Sequence, residues 1–186
     1  MSKLKVKEKI LTAASELFYF DGYNQTGVNK ILEKAQVSKD SMYRHFGSKE
    51  AIAVAYLEKK QKTLMIDLNE KLSSHKSGPE KVLGLFDYLI EWLGEVDYRG
   101  CGFQNIITDI PNDQDAIKEA VRNSKNEVHE FVYKQLKNST QMKVTAKESS
   151  EEVMVLIEGA LILSQIQKDT WPIVAAKKAC VKVLEK

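Results

Sequence analysis

The chain has 186 residues, 43% hydrophobic and 29% charged, with only nine Gly and three Pro. That length allows one ordinary domain, or a small domain joined to a larger one, either with a real core. The scarcity of Gly and Pro excludes a turn-rich all-β fold as the first expectation. The net charge is only +2, yet residues 1–60 hold 11 of the 28 Lys and Arg against 7 of the 26 Asp and Glu. A basic head on a slightly acidic body is compatible with nucleic-acid binding at one end.

No apolar run approaches the roughly 18 residues of a transmembrane span. The Lys-rich segment Met1–Leu11 spaces its apolar residues and lacks the apolar block of a signal peptide. Cys101 and Cys180 stand at no metal or redox spacing, and with no export signal a reducing cytoplasm is the expected compartment.

Residues 5–21 read as the first helix, because Ile10, Ala13, Ala14, Leu17 and Phe18 recur on one stripe. Gly22 ends it. Thr26 is the expected N-cap of a short second helix ending near Ala35, with Val28, Ile31, Leu32 and Ala35 inward. After a tight turn at Gln36-Val37, Ser38 caps a third helix over 39–46, with Met42 and Phe46 four apart and inward. Gly47 stops it and Ser48 caps a long fourth helix, 49–75, before the break at Ser73–Pro79. Residues 80–96 are apolar on nearly all sides and predict a buried helix. A short helix follows at 102–109, then a long one at 114–137, a polar loop at 138–147 and a long helix at 148–168. Thr170-Trp171-Pro172 opens a terminal amphipathic helix. The fold class is therefore all-α.

Two short helices joined by a tight turn and backed by a buried first helix have the layout of a helix-turn-helix, whose second helix enters the major groove. With Met42 and Phe46 inward, the third helix turns Lys39, Asp40, Ser41, Tyr43, Arg44 and His45 outward. These side chains can meet phosphates, base edges or a thymine methyl. Lys49 begins the next helix, where its ammonium and free backbone N–H groups can converge on a phosphate.

The ordered run Lys9-Ile10-Leu11, Ala13-Ala14, Leu17-Phe18, Gly22-Tyr23, Thr26, Val28, Ile31, Ala35, Val37-Ser38, Met42-Tyr43, His45-Phe46 and Ser48-Lys49-Glu50 resembles the N-terminal domain of TetR/AcrR-type repressors. It covers residues 7–57 without gaps. Beyond it the likeness is architectural, apart from Gly100–Asn105, which resembles the start of the sixth helix in some multidrug-type members. Three positions depart from the pattern: Gln36 where the turn usually has Gly, Gly27 where a hydroxyl often meets phosphate, and the acid Asp40 close to the DNA.

The resemblance implies a three-helix helix-turn-helix domain over 1–48 and a helical effector-binding and dimerisation domain over 49–186. It implies a ligand-responsive repressor that a small apolar or amphipathic molecule releases from a palindromic double-stranded DNA operator. The DNA-binding set is then Thr26, Ser38, Lys39, Ser41, Tyr43, Arg44, His45 and Lys49. Candidates to line the effector cavity are Tyr88, Trp92, Phe103, Gln104, Met154 and Ile157; the plainer role of such residues, and of Trp171, is ordinary core. Residues 153–163 are apolar almost all round, which predicts two covered faces and a homodimer through helices 114–137 and 148–168. The alternative on the same scaffold is a nucleoid or division factor that binds DNA without an effector. A helical enzyme is disfavoured: no Ser/His/Asp or Cys/His set, phosphate-binding Gly loop or paired metal-ligand helix occurs, and no cofactor or metal is expected.

Overall fold

The structure is a computed structural model that describes residues 3–139 and 146–185. Its elements are α1 (Lys3–Phe20), α2 (Val28–Ala35), α3 (Lys39–Phe46), α4 (Lys49–Lys71), α5 (Gly78–Glu95), α6 (Gly102–Asp109), α7 (Asp115–Lys137), α8 (Ala146–Gln167) and α9 (Trp171–Leu184). The described residues contain no strand. The expected helices are all present, with ends shifted by a few residues. α4 stops at Lys71, and α5 starts two residues early because the Ser77 hydroxyl accepts the Glu80 N–H at 3.2 Å while Glu80 accepts from Lys76 N at 3.0 Å. Of the expected loop at 138–147, residues 140–145 lie outside the described residues.

The chain divides into two compact units, one within Met1–Lys62 and Gly102–Ser124, the other within Thr63–Cys101 and Lys125–Lys186. The first unit is built on the stripe of α1: Ile10, Ala13, Ala14, Leu17 and Phe18 are all buried, together with Ile31 of α2, Met42 of α3 and Ile52 of α4. Phe103 and Ile106 of α6 are buried in the same unit. The second unit packs α5 and α8 with α9 through Phe86, Leu89 and Leu93 of α5, Val153 and Ile157 of α8, and Ile173 and Cys180 of α9. Gly78 is required there, since a Cβ would stand 1.9 Å from the Gln135 carbonyl oxygen.

The N-cap expected at Thr26 falls one residue later, on Gly27, which supplies no side-chain cap. Thr26 turns inward instead. It is 0% exposed, and its hydroxyl donates to the Gly22 carbonyl at 2.7 Å. A backbone kinked by Gly22 (φ +92°) leaves that carbonyl without a helical partner, and the threonine satisfies it.

The turn of the helix-turn-helix closes on Gln36 in the left-handed region, φ 54° and ψ 49°. A Cβ in that conformation costs on the order of 1 kcal/mol relative to glycine. Gln36→Gly should therefore raise stability by about 0.5–1 kcal/mol despite the more flexible unfolded chain, read as a higher urea midpoint with unchanged slope.

Candidate nucleic-acid interface

α3 is held from one side. Met42 is 0% exposed and Phe46 half-buried, while Lys39, Asp40, Tyr43 and Arg44 form the exposed side. Ser38 is exposed and caps the helix by accepting the Ser41 N–H at 3.2 Å. Ser41 and His45 are half-buried and flank the exposed row, so the six side chains expected outward divide into a centre of four and an edge of two. Tyr43 is 46% exposed, an uncovered aromatic on an otherwise polar face.

Beside α3, Ser48 caps α4 by accepting the Ala51 N–H at 3.0 Å, and Lys49 is the first residue of that helix. The Lys49 ammonium stands 3.9 Å from the centroid of the Tyr23 ring. Such a cation–π contact is worth about 0.5–2 kcal/mol and fixes the long side chain. Partial burial lowers the Lys49 pKa, and the carboxylate of Asp109 opposes that shift. Lys7 of α1 lies 5.6 Å over the Phe46 ring, next to the end of α3. The lysines of α2 point elsewhere: Lys30 pairs with Asp21 at 2.8 Å and Lys34 with Glu16 at 2.6 Å. Thr26, expected to meet DNA, presents no group at the surface, for the reason given above.

Behind this face lies a polar seam that sequence reading missed. Tyr23, 5% exposed, donates its hydroxyl to Gln114 Oε1 at 2.6 Å. Burial, with Glu50 and Asp113 nearby, pushes its pKa up to about 12, so the phenol keeps the proton it donates. Asp109, the last residue of α6, accepts the Asn24 N–H at 2.9 Å, and the Asn24 amide donates to the Asp109 carbonyl. A side chain at Gly22 would meet that carboxylate at 2.9 Å. Glu50 accepts the Ala116 N–H at 3.3 Å. Residues 109–116 thus grip both Gly22–Asn24 and the start of α4. The partners are 66 to 91 positions apart in sequence. No local spacing could have revealed them.

The effector candidates do not gather in one unit. Phe103 and Gln104 belong to the first unit, where Phe103 is core; Tyr88, Trp92, Met154 and Ile157 belong to the second. There Ile157 is buried and the other three half-buried. Burial, with Asp67 and Glu95 nearby, pushes the Tyr88 hydroxyl up to about 12. The second unit also holds a half-buried charge cluster. Lys125 of α7 donates to Glu158 of α8 at 2.7 Å and lies 3.6 Å from Cys101 Sγ. Burial opposes the charge on Lys125, but Cys101 and Glu158 together raise its pKa. Neither charged residue was singled out from the sequence, where a lone Lys and a lone Glu on long helices look like solvated positions.

The expected second apolar face of α8 is present and uncovered: Val155 is 73% and Ile166 65% exposed, with Ile162 and Leu163 between them. Trp171, Val174 and Val181 extend exposed apolar surface onto α9, so Trp171 is not core. Among the described residues α7 exposes no large apolar side chain. Nor does any helix among them have the length and apolarity to cross a membrane.

Comparison with known proteins agrees with this architecture. Residues 10–56 match the family model described as bacterial regulatory proteins, tetR family. Residues 80–179 match that of the LmrA/YxaF-like transcriptional regulator C-terminal domain. The HTH-type transcriptional regulator LmrA of Bacillus subtilis is 25% identical over 169 residues, covering 90% of each chain. An uncharacterized HTH-type transcriptional regulator from the lacX 3' region of Lactococcus lactis is 23% identical, covering 88% of this chain and 85% of that one. In fold, the chain is similar to the crystal structure of a TetR-family transcriptional regulator from Streptomyces coelicolor, with TM-score 0.83 and 19% identity over 97% of this chain and 95% of the other.

Removing the Tyr23 hydroxyl isolates one link of the seam while keeping the ring under Lys49. Tyr23→Phe should cost about 1 kcal/mol of stability, the net worth of one hydrogen bond plus the stranded Gln114 acceptor, measured by urea unfolding.

Proposed function

The chain belongs to the TetR family of bacterial transcriptional regulators, and on that premise we propose that it is a homodimeric repressor whose paired α3 helices read a palindromic operator until a small apolar or amphipathic molecule releases them. The observation that carries this reading is the two-sidedness of α3: Met42 is sealed behind it, with Lys39, Tyr43 and Arg44 exposed in front. Two such helices about 34–36 Å apart meet successive major grooves on one side of the duplex. Arg44 and Lys39 reach phosphates or base edges, Tyr43 contacts the backbone or a thymine methyl, and Ser38, Ser41 and His45 border the groove. Lys49, steadied on Tyr23, and the free N–H groups of α4 take a phosphate. The protein works in the cytoplasm, where its operator is.

The uncovered face of α8, continued by α9, supports the dimer interface. The apolar surplus on this face favours α8 with α9 over a pairing that includes α7. Gly159 lies within the α8 face, and nothing stands within 4 Å of its missing Cβ, so a partner helix can approach closely. For the effector, Tyr88, Trp92 and Met154 offer half-buried apolar surface and Lys125–Glu158 a polar anchor, the mixture that binds amphipathic molecules. An effector that displaces α6 would pull on Asn24 through Asp109 and on Tyr23 through Gln114, and so re-aim the head. It can bias DNA binding only by its difference in affinity for the two arrangements, typically 1–3 kcal/mol.

The direct test is a gel shift with the DNA upstream of the protein's own gene. The wild type should retard it, and the double variant Lys49→Ala, Tyr43→Ala should not; undiminished binding by that variant refutes the interface. Lys49→Ala alone should flatten the plot of log affinity against log salt by about 0.9 per lost phosphate contact, hence by about 2 for a dimer.

The interface makes a separate prediction. Val155→Asp with Ile166→Asp should yield folded monomers in sedimentation equilibrium, whereas a dimer of unchanged strength would move the interface elsewhere.

A further inference from the structure

The middle of the exposed side of α3 carries an acid. Asp40 and Arg44 lie four residues apart on one row of the helix, with Lys39 and Tyr43 beside them, and all four are exposed. Three acids of the head are engaged by neighbours, Asp21 with Lys30, Glu16 with Lys34 and Asp109 with the Asn24 N–H, and none of these lies on the exposed side of α3. Asp40 has neither an ion pair nor a hydrogen bond among the described residues. Its place in the first turn of α3 suits the positive end of the helix, but that turn also aims it outward beside the residues expected to meet DNA.

A bare carboxylate brought against DNA is repelled by the phosphates on both sides of the groove. The repulsion is offset only where the carboxylate accepts a hydrogen bond from a base. In the major groove just two groups donate, the N4 amino group of cytosine and the N6 amino group of adenine. They are not equivalent for an acid. Adenine N6 is flanked by N7, an acceptor whose lone pair repels the second carboxylate oxygen. Cytosine N4 is flanked by the C5–H edge, which does not.

We propose that Asp40 is a specificity-determining residue that reads a cytosine at one position of each operator half-site and weakens binding to every sequence lacking it there. This rests on α3 being the recognition helix. The acid then has two effects: one base gains an acceptor, and all other sequences meet an unpaired charge, which is discrimination by repulsion as much as by attraction.

The test is selection from a random duplex library by the full-length protein in four forms: wild type, Asp40→Ala, Asp40→Asn and Arg44→Ala. The wild type should enrich a palindrome with cytosine at one symmetry-related pair of positions. Asp40→Ala should lose the preference at that pair alone, with a drop on the wild-type operator on the order of tenfold or more and tighter binding to random DNA. Asp40→Asn should shift the same pair to adenine, because an amide can donate to N7 while accepting from N6. A packing role could not produce that exchange of bases. Arg44→Ala should alter a different position. Far-UV circular dichroism of each variant should match the wild type, as expected for exposed sites. A wild-type consensus that survives both Asp40 substitutions overturns this inference and leaves the recognition helix standing. A folded wild-type dimer that enriches no sequence overturns the recognition helix and this inference with it.

Discussion

Met42 governs how the head presents itself. An eight-residue helix is too short to persist on its own. α3 exists because one unbranched apolar side chain, fully buried, ties it to the core it shares with α1 and α2. Sealing that side leaves Lys39, Asp40, Tyr43 and Arg44 no direction but outward. The Ser38 cap and the turn at Gly47 (φ +69°) then limit the helix to the two turns that a groove can accept. A cationic and aromatic surface is thus a consequence of packing behind it.

The same head is fastened a second time, by polar groups. Tyr23 serves both sides of that seam: its ring lies under the Lys49 ammonium and its hydroxyl donates to Gln114. Asp109 likewise holds the Asn24 N–H while acting electrostatically on Lys49. Hydrogen bonds weaken steeply with distance and angle, so small displacements of residues 109–116 change them more than they would change apolar packing.

In the second unit the requirement is coverage. α8 buries Val153, Ile157, Ala160 and Leu161 on one side and still exposes Val155, Ile162, Leu163 and Ile166 on the other. Apolar side chains left exposed at this spacing on one helix are a surplus that the packing of the unit itself does not use. Lys125 and Glu158 stand apart from that logic: they are charges kept in a half-buried setting by each other and by Cys101, at a desolvation cost that hydrophobic residues would avoid.

Much of this was legible in the sequence. The 3.6-residue period of apolar positions, the Ser caps at 38 and 48 and the glycines at 22 and 47 specify the helices, because each signal acts within one or two turns. The polarity of α3 followed from Met42 and Phe46, and the apolar surplus of α8 from its composition. What tertiary structure decided was which elements meet. It turned Thr26 inward onto Gly22, paired Lys30 and Lys34 with acids of α1 and its following turn, joined Asp109 and Gln114 to residues 85 and 91 positions earlier, and set Lys125 beside Glu158. It also buried Phe103 in the core of the first unit and left Trp171, Val174 and Val181 of α9 exposed. Helix signals repeat every turn and are local. A hydrogen bond or ion pair across the fold depends on where two distant helices come to rest, and no spacing along the chain encodes that.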